Sequence, residues 1–233
     1  MLLSGTKQIK TRQVAIVTRN PILQKLLTVL LGDWGFSVVE LNAEPGVVCI
    51  EHGLAEPTFA TRTVLLTPMP VSDRSCLQVP LSLTRLYHLL EDEFFPSPRR
   101  HIRVNTEIDA DLQIDGAWQP GRILSLSDRG CRVAYDYELP AKQSMTIEFR
   151  LGERRMRLVA QALYCIPAGE TSSRAKPQIG LQFKPIDPVL CEVLRACIEL
   201  RCLERAMKKI GVDLTHSVRS WFDIEDHLLT TVS

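Results

Sequence analysis

The sequence predicts an α+β chain of several domains: a small α/β unit, then a six-stranded antiparallel β-barrel, then a helical segment. Two observations carry this. The apolar period changes from about 3.6 to 2 beyond Pro96, Ser97 and Pro98, and the following stretch, under 90 residues long, holds about six short strands. A barrel is favoured over a sandwich because closure removes exposed strand edges.

Taken in order, Val14 to Thr18 is a short β-rich run, Pro21 to Trp34 has apolar residues at helical spacing, and Ser37 to Leu41 is again strand-like. Between Asn42 and Ala60 no pattern is readable. Thr63 to Thr67 reads as a strand and Leu81 to Phe95 as a helix, with Leu83, Leu86, Leu89 and Leu90 on one face. The acidic helix end, Glu91 to Phe95, cannot continue through Pro96 and Pro98, so the first domain is set at residues 1–95.

Val104, Thr106, Ile108, Ala110, Leu112 and Ile114 then alternate with polar residues up to the turn dipeptide Asp115-Gly116. Gly121 to Leu126, Cys131 to Tyr135, Met145 to Leu151, Met156 to Ala162 and Ile179 to Phe183 complete a β domain at 96–187. From Pro188 the chain reads as helix through Ile210, with Gly211 as its stop. Val189, Val193, Ala196, Leu200, Leu203, Met207 and Ile210 recur at alternating steps of 4 and 3, a heptad seam. The seam serves either packing on the chain's own barrel or a homodimer through Val189 to Ile210. The tail of this 188–233 segment, from Thr215, is expected to dock as a short helix through residues such as Val218, Trp221, Phe222 and Leu228.

Of the 233 residues, 45% are hydrophobic and 24% charged, which excludes disordered and collagen-like chains. The net charge of +1 offers no general attraction to DNA or to an anionic membrane. No apolar run reaches the roughly 18 residues of a spanning helix, because Lys25 and Asp33 interrupt the best stretch. Seven scattered cysteines without a CxxC pair predict buried thiols in a reducing cytoplasm and no metal site. His52, His88, His101, His216 and His227 form no HxxxH pair, and no nucleophile or phosphate-loop motif is present, so neither an enzyme nor a cofactor is expected.

The neutral total conceals an asymmetry: the three segments carry −1, +3 and −1. Within the positive one, Arg99, Arg100 and Arg103 stand just before the first strand, with His101 among them. An arginine offers a planar donor fork that matches phosphate oxygens and the O6/N7 edge of guanine. A boundary linker can also be basic simply because it is exposed. About 22 residues on, Ser125-Leu126-Ser127-Asp128-Arg129-Gly130 lies between two strands. It is either an ordinary polar turn with Gly130 at positive φ, or the second jaw of a ligand cleft.

Together the arginine cluster, the alternating strand, the Ser-x-x-Gly turn and the strand Ile179 to Phe183 resemble the PilZ domain, over about residues 97–187 and the following helix. The resemblance implies a six-stranded barrel that binds cyclic diguanylate through an RxxxR motif, here Arg99 and Arg103 with Arg100 between them. A [D/N]xSxxG motif would form the second part, here Ser127 and Gly130. The departure is Ser125, which stands where the family has Asp or Asn and lacks the group expected to hold a guanine edge. Residues 13–95 more faintly resemble a shortened, degenerate response-regulator receiver. Its first strand ends in Arg19 and Asn20, Val79 replaces the lysine, and the region for the acceptor strand reads as too short, so phosphorelay chemistry is not expected.

The resemblances imply a cytoplasmic cyclic diguanylate receptor in which ligand binding at the domain junction changes domain arrangement or the binding of an unidentified protein partner. The alternative is a ligand-independent adaptor or dimerisation protein with a degenerate site.

Overall fold

The computed structural model of the protein describes residues 12–58, 62–71, 75–169, 176–213 and 220–223. The described chain divides into two compact units: residues up to Arg100 with 202–223, and residues 101–201.

The first unit is built on an all-parallel sheet of β1 (Gln13–Val17), β2 (Ser37–Val38), β3 (Val47–Glu51), β4 (Arg62–Thr67) and β5 (Cys76–Gln78), in the order β2-β1-β3-β4-β5. This is one of the two common doubly wound orders. The helix α1 (Pro21–Asp33) begins where the Asn20 side chain accepts from the backbone N–H groups of Ile22 and Leu23, with Pro21 in its first turn. It buries Leu23, Leu26, Leu27, Leu30 and Leu31. The helix α2 (Leu83–Phe94) is capped by Ser82 and buries Leu83, Leu86, Tyr87 and Leu90, with the Tyr87 ring edge-on to Trp34.

Two expectations change here. The segment between Asn42 and Ala60 is not too short for a strand: Val47–Glu51 is the middle strand of the sheet, paired to both β1 and β4. It escapes a period-2 reading because Val47, Val48, Cys49 and Ile50 are all buried, as in a strand covered on both faces. In the crevice outside the ends of β1 and β3, where such sheets bind ligands, the protein places its own Glu51 carboxylate. That group accepts from Thr18 Oγ1 at 2.7 Å and the Arg19 N–H at 2.8 Å.

The tail also differs. Its described part, Ser220–Asp223, is not helical: Phe222 bridges Leu81 in parallel, with Leu81 N–H donating to Trp221 O at 2.7 Å. Val218, Leu228 and the rest of that expectation lie outside the described residues.

The second unit is a closed barrel of six antiparallel-paired strands: β6 (Val104–Ile114), β7 (Ala117–Ser127), β8 (Gly130–Ala134), β9 (Ser144–Leu151), β10 (Arg154–Ile166) and β11 (Gln178–Phe183), in the order β10-β11-β8-β7-β6-β9. Pairing of β9 with β10 completes the ring. Each strand supplies one residue with no exposed surface: Leu112, Ile123, Val133, Ile147, Ala160 and Ile179. Asp115 and Gly116, both at positive φ, make the two-residue hairpin joining β6 to β7.

The helix α3 (Pro188–Ile210) starts under Asp187, whose carboxylate accepts from the N–H groups of Val189 and Leu190. Of the heptad seam, Leu200, Leu203 and Met207 are buried within the chain, while Val189 is exposed. All seven cysteines are free thiols, and burial pushes the Cys49 thiol up to about 12, which makes it a poor nucleophile. Among the described residues no helix is long and apolar enough to cross a membrane.

The hairpin from β7 to β8 shows why a glycine closes it. Gly130 does not take positive φ, contrary to the turn reading. A Cβ there would overlap the Leu181 carbonyl on β11, so the glycine permits close backbone approach. Gly130→Ala is therefore expected to lower stability by about 1–3 kcal/mol, as overpacking does, read from the midpoint of urea denaturation.

Candidate functional site

The arginine cluster divides between the units, with the boundary falling between Arg100 and His101. In the first unit, Glu91, Asp92 and Glu93 sit at the end of α2, where a carboxylate opposes the helix dipole by about 0.3–1 kcal/mol. Each has a compensating partner. Buried Glu91 accepts the Arg99 backbone N–H at 2.8 Å, Asp92 pairs with the Arg100 guanidinium at 2.8 Å, and Glu93 pairs with Arg62. His88 Nε2 donates to the Arg100 carbonyl at 2.8 Å. His88, Glu91 and Asp92 are spaced i, i+3 and i+4, so one face of α2 holds the segment, His88 and Glu91 through its backbone and Asp92 through the Arg100 guanidinium. Arg99 and Arg103 are exposed, and their guanidinium groups have no ion pair among the described residues. Arg100, grouped with them by sequence, is engaged.

In the second unit, Val104 on β6 pairs with Leu126 on β7, so Arg103 leads into the barrel beside the Ser127–Gly130 turn. Ser127 is buried, its hydroxyl donating to the Gly130 carbonyl at 3.0 Å and accepting from Arg129 N–H at 3.4 Å. The motif serine thus shapes the turn. Ser125 is half-buried two residues earlier, paired with Asn105 on one side and Arg132 on the other.

The strongest electrostatic feature of the turn is one that sequence reasoning passed over. Asp128 is 3% exposed, and its carboxylate accepts from His101 Nδ1 at 2.8 Å on one oxygen. The other oxygen accepts from Arg195 Nη2 at 3.1 Å and Nε at 3.3 Å. His101 is therefore neither simply exposed nor a free ligand donor. Its pKa lies below the usual histidine value: burial, the largest effect, lowers it, the Asp128 charge and hydrogen bond raise it, and the Arg129 and Arg195 charges lower it further. A neutral imidazole with its proton on Nδ1 satisfies Asp128 at pH 7. Arg195 lies 67 residues from Asp128, beyond any spacing motif. For Glu91 a signal existed, since an acidic helix end needs a cationic or N–H partner.

Two outcomes follow from this geometry. Asp128→Ala is expected to cost about 1–3 kcal/mol, because it leaves donors on His101 and Arg195 unpaired, measurable by thermal or urea unfolding. A folded-state His101 pKa below its unfolded value near 6.5 means the contribution is present above that value and is lost as pH falls below it. The melting temperature should therefore fall on acidification below about pH 6.5, and His101→Gln should flatten that part of the profile.

No curated protein matches this chain. Among solved structures, the Bacillus subtilis inhibitor of motility is 18% identical, covering 48% of this chain and 53% of that one, with a TM-score of 0.40. The PilZ domain of YcgR from Escherichia coli, solved with c-di-GMP, is 18% identical over 49% of this chain and 98% of that one, with a TM-score of 0.41. MrkH of K. pneumonia is 18% identical over 49% and 52%, with a TM-score of 0.42. The chain thus spans about half the length of the first and third of these. The family model that matches is that of the PilZ domain, over residues 97–200, and it is in this segment, the barrel with the first part of α3, that the chain carries a PilZ domain.

Proposed function

We propose that the chain is a receptor for cyclic diguanylate (c-di-GMP), with Arg99 and Arg103 as the clamp and the Ser127–Gly130 turn as the seat. The observation that carries this reading is the state of the arginines. The two that match the RxxxR motif, Arg99 and Arg103, have guanidinium groups without an ion pair among the described residues, whereas Arg100 between them is tied to Asp92. Unpaired planar forks suit a small dianion bearing guanine bases.

In this reading the Asp128 bonds to His101 and Arg195 hold the turn in shape before the ligand arrives, which lowers the ordering cost of binding. Ser127 contributes by closing the turn. Arg100 positions the segment through Asp92. Because the boundary between the units falls inside the arginine motif, a ligand that recruits both Arg99 and Arg103 acts on the covalent link between them. The output is then a change of domain arrangement or of partner binding.

Titration calorimetry with cyclic diguanylate tests the proposal. Saturable binding is expected, and no saturable signal up to about millimolar ligand overturns it. Arg99→Ala and Arg103→Ala should each weaken binding roughly tenfold to a hundredfold, the loss of one charge-assisted hydrogen bond. Arg100→Ala should change it by less than about fivefold, because only an exposed pair is removed.

A further inference from the structure

Ser125 lacks the carboxylate or amide that its position has in the family, yet it does not stand alone. In the antiparallel ladders Ser125 on β7 is directly opposite Asn105 on β6 and Arg132 on β8, and Arg132 is in turn opposite Gly180 on β11, which is opposite Tyr164 on β10. Directly opposed residues project from the same face with Cβ atoms about 5 Å apart. Five strands therefore bring a carboxamide, a hydroxyl, a guanidinium, a glycine and a phenol into one row on the barrel wall.

Three features mark this row as built for a ligand. First, the ladder is irregular beside it on three strand pairs: between Asn105 and Ile108, between Ile123 and Ser125, and between Ala162 and Tyr164. Bulges re-aim side chains and gather next to functional sites. Second, Arg132 has no ion pair among the described residues, and its Nε is buried without a hydrogen-bond partner there. An unsatisfied buried donor on a charged group is costly unless a ligand relieves it. Third, the Tyr164 ring lies over Gly180, in space that any Cβ would occupy, and 45% of the tyrosine remains exposed. The glycine leaves an aromatic plate lying against the wall.

We propose that this row reads a guanine base, with Asn105 supplying from the neighbouring strand the amide that Ser125 lacks. A carboxamide carries an acceptor for the guanine N1–H and N2–H donors and a donor for O6. Ser125, opposite it, adds a hydroxyl that donates or accepts. Arg132 offers its fork to the O6/N7 edge or its plane for stacking, and Tyr164 supplies a face for the purine. The inference rests on the cyclic diguanylate reading above and deepens it, since it adds Asn105, Arg132 and Tyr164, which lie outside both motifs, to base recognition.

A double-mutant cycle on the full chain tests it, using calorimetry with cyclic diguanylate and cyclic diadenylate. Asn105→Ala should weaken cyclic diguanylate binding about tenfold and reduce the preference over cyclic diadenylate. Ser125→Asp should restore binding in the Asn105→Ala background by a larger factor than it improves the unsubstituted chain, because the two groups do one job. Arg132→Gln should also weaken binding about tenfold. Asn105 is exposed, and the melting temperature of Asn105→Ala separates loss of ligand contact from loss of fold: only weakened binding at an unchanged melting temperature supports the row.

If the unsubstituted chain binds, Arg99→Ala weakens binding as expected, and Asn105→Ala binds as tightly as before, the assignment of the row is overturned while the receptor reading stands. If the unsubstituted chain does not bind cyclic diguanylate, both fall together.

Discussion

A buried carboxylate in a two-residue turn is the constraint on which the entry to the barrel depends. Asp128 cannot remain charged out of water without partners, and the chain supplies two from distant places: His101, just after the arginine pair, and Arg195 on α3. One turn therefore fixes the path by which the chain enters β6 and the position of α3 on the barrel. The neighbouring Ser127 hydroxyl closes the same turn on Gly130. Gly130 in turn is held against the Leu181 carbonyl of β11, where no side chain fits. The turn is rigid because three unrelated requirements, charge pairing, hydroxyl satisfaction and steric contact, meet in four residues.

The distribution of arginine partners extends the same logic. Arg100 and Arg195 are engaged by carboxylates, and the Arg99 backbone is held by buried Glu91. These bonds position the chain. Arg99, Arg103 and Arg132 keep guanidinium groups without ion pairs among the described residues, and Arg132 does so with a buried Nε. Arginines engaged by carboxylates and arginines without an ion pair among the described residues are interleaved along the chain, and partner geometry alone separates them. The proposed site for one small anion is compatible with a neutral total charge because of this interleaving.

Legibility from sequence followed the range of the interactions. The long alternation from Val104 to Ile114 and the Asp115-Gly116 turn were readable, because a half-buried strand shows its burial as a period and an I′-type hairpin restricts its residues. The helix Pro188–Ile210 was readable for the same reason. The middle strand Val47–Glu51 was not, since burial on both faces removes the alternation. The seam on α3 was read as one continuous stripe, but Leu200, Leu203 and Met207 are buried within the chain while Val189 is exposed, because a periodic stripe does not say what covers it. Gly130 was recognised as necessary for the wrong cause: local turn chemistry suggested φ, whereas the cause is a carbonyl on another strand.

By itself, the sequence determined the class of each segment, the end of the helix ahead of Pro96, the barrel strands and the two motifs that resemble the PilZ domain, because periodicity, turn residues and short motifs are local properties. Only the tertiary structure decided which charges are paired and which residues share a row. The 67 residues between Asp128 and Arg195, and the strand registers that set Asn105 and Arg132 against Ser125, leave no trace in spacing. They exist only once the barrel has closed, since closure is what brings strands that are distant in the chain to within a side chain's reach.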